Sequence, residues 1–134
     1  MSDRSSGARR RGAAHGRFPF SRFITIDGWT YVSGLVGREP SDGSIAVGDA
    51  EAQTRATLGQ LDSVLNEAGV GLEDVVKVTM YLTDLATFEA ANRAYRDAFT
   101  AGQFPARTCI EVACLPDPEA MVEIDAVAYR EDGE

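Results

Sequence analysis

The chain has 134 residues, 44% of them hydrophobic, enough for one domain with its own apolar core. Residues 1–17 hold five arginines and one acid, whereas the other 117 carry 8 basic and 20 acidic side chains, a net −12. Such a body repels phosphate backbones, which counts against nucleic acid as the main partner. No apolar run approaches the ~20 residues of a membrane span, and no apolar stretch follows the basic N-terminal residues as a secretory signal requires. Neither a membrane nor a secretory route is therefore expected. The Ser/Gly/Arg-rich residues 1–17 read as a disordered, solvated tail, with contact to an anionic surface as the alternative, which leaves 18–134 as a single domain. Two cysteines without a paired framework suit a reducing, cytoplasmic setting. Cys109 and Cys114 would face opposite sides of a regular strand, so no disulfide is expected.

In chain order, Phe23–Asp27 and Trp29–Ser33 read as strands around an Asp27-Gly28 turn. Ser41-Asp42-Gly43 marks a second turn between short extended pieces. From Asp49 to Ala68, Leu58, Leu61, Leu65 and Ala68 recur at helical spacing, with Asp49 as N-cap and Gly69 as the residue after the C-cap. Glu73 and Asp74 lead into a strand at Val75–Thr83, on which Val76, Val78, Met80 and Leu82 share a face. A second helix spans Thr87 to Phe99 with the stripe Phe88, Ala91, Tyr95 and Phe99. Arg107–Ala113 and Met121–Arg130 are the last strands. On the latter, Val122, Ile124, Ala126 and Ala128 face the helices, and Glu123, Asp125 and Val127 face away. The order β-β-(β)-α-β-α-β-β predicts an α+β fold, with two helices in one layer on one face of a mixed sheet. The other face carries Tyr31, Met121, Val127 and Tyr129 and needs cover, which points to an oligomer.

The chemistry-bearing residues are few. The sole histidine, His15, lies in the tail, and no Cys-x-x-Cys, His-x-x-x-His or Gly-rich phosphate loop is present, so neither metal nor cofactor is expected. Ser33 lacks a histidine base. Cys109 has no sequence neighbour that would lower a thiol pKa and reads as an inert strand cysteine. Within Phe104-Pro105-Ala106-Arg107-Thr108-Cys109-Ile110-Glu111-Val112, Arg107, Cys109 and Glu111 alternate with Thr108, Ile110 and Val112. An arginine fixed on a strand is a good fork for a carboxylate, although an ordinary surface arginine fits the same pattern. Arg107 and Glu123 are both expected on the face turned away from the helices. Such a pair suits a small substrate bearing a carboxylate and an electrophilic C=N carbon; a plain salt bridge between them is the alternative.

The same residues carry a family resemblance. Phe104 to Ala113, then Leu115-Pro116, then Val122-Glu123-Ile124-Asp125-Ala126-Val127-Ala128 resemble the C-terminal signature of the RidA/YjgF family. Tyr31-Val32-Ser33-Gly34 resembles its first core strand, Ala52-Gln53-Thr54-Arg55 the start of its first helix, and Val75 to Asp84 its central strand. Phe88 with Asn92 resembles its second helix, so the likeness runs from Gly16 to Tyr129. It implies a chorismate mutase-like mixed sheet with two helices on one face, and a homotrimer with sites between subunits. The activity implied is hydrolysis of 2-imino or enamine acids to 2-oxo acids and ammonia without a cofactor. Arg107 would grip the substrate carboxylate with the Cys109 backbone amide, and Glu123 would hold and activate water. Phe20, Ser33, Gly34 and Asn92 fall on positions that line or shape the cleft, although Asn92 also suits a loop-tethering amide.

One segment departs from the pattern. Pro19-Phe20-Ser21-Arg22 stands where the family's deaminases carry Pro-Tyr-Ser-Gln, so a hydroxyl is lost and a cation gained. Both changes imply a larger or more anionic substrate. Gly16-Arg17-Phe18-Pro19 and Leu115-Pro116-Asp117-Pro118 resemble the 2-aminomuconate deaminase branch. A different class of answer is a non-catalytic ligand-binding or chaperone-like member, or one with ribonuclease activity. Arg107 together with Glu123 favours the enzyme, and an acidic body without histidine disfavours the ribonuclease.

Overall fold

The computed structural model describes residues 9–13, 16 and 18–131. Its elements are β1 (Arg9–Arg11), β2 (Phe23–Ile26), β3 (Trp29–Leu35), α1 (Ala50–Glu67), β4 (Val75–Leu82), α2 (Phe88–Ala98), β5 (Ala106–Glu111) and β6 (Val122–Tyr129). Single 3₁₀ turns at Leu72–Asp74 and Leu85–Thr87 precede β4 and α2. Asp27 and Gly28 turn the β2–β3 hairpin with φ of 52° and 85°, the left-handed pair that matches strand twist in a two-residue loop. The sheet order is β1-β2-β3-β6-β4-β5, antiparallel throughout except for the parallel β4–β5 pair.

Both helices cover one face, as the sequence predicts. Asp49 caps α1 by accepting from the Ala52 N–H at 2.9 Å, and Gly69 leaves the helix at φ 88°. Leu58, Leu61, Val64 and Leu65 of α1 pack with Val78, Met80 and Leu82 of β4 and with Val122, Ile124, Ala126 and Ala128 of β6. Each Val, Leu, Ile or Met among them contributes about 1.5–3 kcal/mol on burial. The second helix adds Ala91, Ala94 and Tyr95. Gln53 is a buried polar residue of this layer, only 1% exposed, beside Thr54 and Thr57. Its amide donates to the carbonyls of Ala46 and Glu119 and accepts from the Met121 N–H at 2.7 Å, joining α1 to the segments before it and before β6.

Four expectations change. Arg9–Arg11, placed in the tail by composition, pairs antiparallel with β2, and Arg10 lies over the Phe23 ring while donating to the Ala68 carbonyl. Backbone pairing and one aromatic contact prevail there over a tail-like composition. Residues 1–8, 14, 15 and 17, His15 among them, lie outside the described residues. The extended pieces around Ser41-Asp42-Gly43 form no strand; Glu39 and Ser44 close a turn through backbone bonds instead. In β4 a register shift between Val75 and Lys77 turns Val75 inward and leaves Val76 43% exposed, so Val76 does not join the Val78, Met80, Leu82 face. Met121, expected on the uncovered face, packs partly against the core.

The uncovered face carries Trp29, Tyr31 and Tyr129, with the Trp29 and Tyr129 rings 4.7 Å apart. Both cysteines are free, Cys114 lying beyond the end of β5. No described helix is long and apolar enough to cross a membrane. A Gln53→Leu variant strips three part-buried backbone groups of their partner and should lose about 2 kcal/mol of stability. That loss will appear as a lower urea midpoint at unchanged denaturant slope.

Candidate functional site

Strand register decides which side chains can meet. Along β4 and β6, Val78, Met80 and Leu82 stand beside Ala126, Ile124 and Val122 under the helices. Tyr81 stands beside Glu123, and Thr79 beside Asp125, on the uncovered face. The β4–β5 register pairs Val78 with Arg107 and Met80 with Cys109. Arg107 and Glu123 therefore project from opposite faces of the sheet, which corrects the expectation that they share one. Alternation along β5 fixes which of its residues go together, but both of its sides are half polar. The aromatic rings of α2 then draw the Arg107 side inward.

Glu123 lies in a cleft of about 950 Å³, lined among others by Phe18, Phe20, Arg22, Ser33 and Gly34. Its carboxylate sits where a side chain at Gly34 would be: a Cβ there would collide with Glu123 Oε2. Gly34 is therefore needed for close approach. Burial first, and the charge of Asp125 second, push the Glu123 carboxyl above the ordinary range. Among the described residues no cation pairs with it. Asp125, two residues on, accepts from the Tyr81 hydroxyl at 2.9 Å.

The cleft wall is held by polar side chains. Ser33 Oγ donates to the Ser21 carbonyl at 2.6 Å, and the Ser33 N–H to the Arg22 carbonyl at 3.0 Å, fastening the segment that carries Phe20. Arg22 donates to Glu67 of α1 at 2.7 Å. Arg38 grips Asp117 with two bonds of 2.5 and 2.8 Å and adds Glu119 and the Gly43 carbonyl, and it holds the Asp117 carboxyl below the usual range. Arg38 and Asp117 had no local signal in the sequence, because their pairing spans 79 positions.

On the other face, the Arg107 guanidinium lies 4.6 Å from the Tyr95 ring centroid and 5.6 Å from that of Phe88. Among the described residues it makes no ion pair, so the plain Arg107–Glu123 salt bridge is absent. Asn92 lies between Phe88 and Tyr95 on the same stripe of α2. Burial raises the Cys109 thiol, and Arg107 offsets this only in part, so the group stays protonated and is ill suited to attack. One chain thus brings Phe20, Ser33, Gly34 and Glu123 together in the cleft. Arg107 and Cys109 lie separately on β5, the edge strand of the sheet, and Asn92 belongs to the α2 stripe whose rings meet Arg107.

Comparison with known proteins agrees with this fold. Residues 12–130 match the family described as Endoribonuclease L-PSP. A RutC family protein of Pyrococcus abyssi is 38% identical over 113 residues, 84% of this chain and 87% of that protein. The human protein named 2-iminobutanoate/2-iminopropanoate deaminase is 34% identical over 112 residues, 84% of this chain and 80% of its own length. The crystal structure of a Mycobacterium tuberculosis member of the YjgF/YER057c/UK114 family superposes with a TM-score of 0.80 at 29% identity, covering 92% of this chain and all of that one. Other members carry names that refer to endoribonucleases, so the shared fold does not by itself fix a reaction. With a family match over nearly its whole length and relatives above 30% identity, the chain belongs to the Endoribonuclease L-PSP, or RidA/YjgF, family.

Proposed function

We propose that the protein is a cofactor-free hydrolase that deaminates 2-imino and enamine acids to 2-oxo acids and ammonia. The observation that carries this reading is a pair of uncompensated charges. Among the described residues, Glu123 in its partly apolar cleft pairs with no cation, and Arg107 at the sheet edge pairs with no carboxylate. An imino acid needs one of each. Within one chain they are separated by the sheet, so the working site takes Arg107 from one copy and Glu123 from another. A cyclic assembly in which each copy lends an edge to the next meets that need, and we read it as a homotrimer. It would also cover Trp29, Tyr31 and Tyr129. The 34% identity to a protein named as a 2-iminobutanoate/2-iminopropanoate deaminase supports the same reaction. We place the protein in the cytoplasm, with neither nucleic acid nor membrane as partner.

Arg107 binds the substrate carboxylate through two parallel N–H bonds, joined by the Cys109 backbone amide. The C=N carbon then lies over Glu123, whose carboxylate accepts a proton as water adds to that carbon. That proton passes to nitrogen to give a carbinolamine; Glu123 then takes the carbinolamine hydroxyl proton and delivers it to nitrogen as the C–N bond breaks, so that ammonia leaves the 2-oxo acid. Positioning and one general base suffice because activated imines hydrolyse readily. Phe20 supplies an apolar wall, Ser33 and Gly34 shape the floor, and Asn92 lies beside the carboxylate anchor. Arg22 lines the same cleft and, among the described residues, its guanidinium is engaged by the half-exposed Glu67. This favours, as a second reading, a larger aminomuconate-type enamine whose further carboxylate replaces Glu67.

Ammonia release from 2-iminopropanoate and 2-iminobutanoate, made in situ by an amino-acid oxidase, tests the reading. Arg107→Ala and Glu123→Gln should each cut kcat/KM by about 100-fold or more, within the range of a lost general base or charged contact. Rates no faster than buffer with the wild-type protein sink the proposal. Gly34→Ala should approach the Glu123→Gln loss, since the added methyl displaces the carboxylate; normal turnover would show that its seat is immaterial.

Protonation gives a further expectation. The base must be ionised, so activity should fall on the acid side at a pH above the ordinary glutamate range. Stability runs the other way. A carboxyl whose proton is held more tightly in the folded chain costs nothing below its unfolded pKa of about 4.3. It then destabilises increasingly as pH rises through the folded value. Glu123→Gln should therefore melt above wild type at pH 7.5 and lose that advantage at pH 4, as scanning calorimetry can measure.

A further inference from the structure

Arg22, Arg38, Arg55, Arg93 and Arg130 each hold a carboxylate. Arg107 rests on rings instead. A guanidinium stacked on an aromatic face keeps its N–H bonds in its own plane, directed away from that ring. Stacking and bidentate anion binding are therefore compatible, whereas an internal ion pair would occupy the fork.

Tyr95 is built as a fixed platform. It is 5% exposed and wedged against the rings of Phe99 and Phe104, with centroids 4.9 and 6.4 Å away. Phe104 leads through Pro105 directly into β5, so the clamp and the arginine belong to one short segment. The Tyr95 hydroxyl is buried and finds no hydrogen-bond partner among the described residues. Hydrogen bonding within the chain does not account for this placement, whereas contact through the ring face does. Phe88, about two turns before Tyr95 on the same stripe, presents the second ring.

We propose that Tyr95, assisted by Phe88, is a positioning residue for Arg107: the rings hold the guanidinium at the free edge of β5 with its N–H fork open to a substrate carboxylate. The inference rests on the reading of Arg107 as the carboxylate anchor. Without the rings, a long side chain must be ordered at the moment of binding. The loss then falls on substrate binding more than on the chemical step, and appears in KM rather than kcat.

The test compares Tyr95→Phe, which keeps the ring, with Tyr95→Leu, which removes it, and adds Phe88→Leu. With 2-iminobutanoate, Tyr95→Leu should raise KM about tenfold while kcat moves less than about twofold. Tyr95→Phe should restore KM to within about twofold of wild type, and Phe88→Leu should fall between. Equal damage from Tyr95→Phe and Tyr95→Leu, a fall in kcat at unchanged KM, or no change in any variant overturns the proposal. Calorimetric binding of 2-oxobutanoate, a carboxylate that needs no turnover, separates this inference from the deaminase reading. If wild type binds it and the variants weaken in the same order while no imine is hydrolysed, the deaminase reading fails and the positioning role stands. If wild type neither binds the oxo acid nor hydrolyses the imine, both fall. Should Tyr95→Leu not fold, the Phe88→Leu and Tyr95→Phe pair decides by the same ordering.

Discussion

Val78, Met80 and Leu82 of β4 lie beside Ala126, Ile124 and Val122 of β6, all six buried under the two helices. That shared register governs every other placement in the molecule. Because side chains alternate with a period of two, a slip by one residue would turn the whole apolar row to solvent, so the core locks the alignment. Once locked, Glu123 and Asp125 must face outward and Tyr81 must stand beside Glu123. The parallel β4–β5 alignment then sends Arg107 and Cys109 inward. The separation of cation from carboxylate follows from the packing of aliphatic side chains, not from any preference of the charged groups.

The arginines divide by what they touch. Arg38 is saturated by Asp117, Glu119 and the Gly43 carbonyl, and it pins the loop leaving β3 to the loop entering β6. Arg10 and Arg130 donate to the Ala68 and Gly69 carbonyls, where α1 ends without a basic residue of its own in the last turn. Cations there complement the helix dipole as well as the orphan carbonyls. These contacts hold structure. Arg107 has neither a carbonyl nor a carboxylate among the described residues, and Glu123 has no cation. A folded chain that keeps two ionisable groups unpaired forgoes stability that pairing would supply, a pattern found where charges are kept ready for a ligand.

Much of this was legible in the sequence. The Asp27-Gly28 hairpin, the Asp49 cap, the Gly69 exit and both helical stripes rest on local rules of turn chemistry and periodicity, and tertiary packing obeyed them. The two-helix layer followed from those stripes. What could not be read locally was the facing of β5. Arg107, Cys109 and Glu111 on one side and Thr108 and Ile110 on the other give no clear apolar contrast, and the helix that settles the matter lies earlier in the chain. The bulge at Val76 escaped for a related reason: Val75 and Val76 are equally apolar, so the sequence cannot say which one the core takes. Arg9–Arg11 was hidden by composition, since a strand of three arginines depends on the partner strand for its backbone bonds.

Gly34 shows how closely backbone and chemistry are coupled here. The register of β3 against β6 shifts between Val32 and Leu35, the stretch that contains Ser33 and Gly34. That irregularity frees Ser33 to bond the Ser21 carbonyl and opens the space into which the Glu123 carboxylate settles. A regular ladder with a side chain at Gly34 would fill that space and expel the acid. Irregular β-pairing of this kind often re-aims a side chain next to a functional cleft. The local interruption in one strand pair therefore does two things at once: it ties down the segment bearing Phe20 and gives the acid a half-buried seat. The same partial burial, with the charge of Asp125, raises its proton affinity.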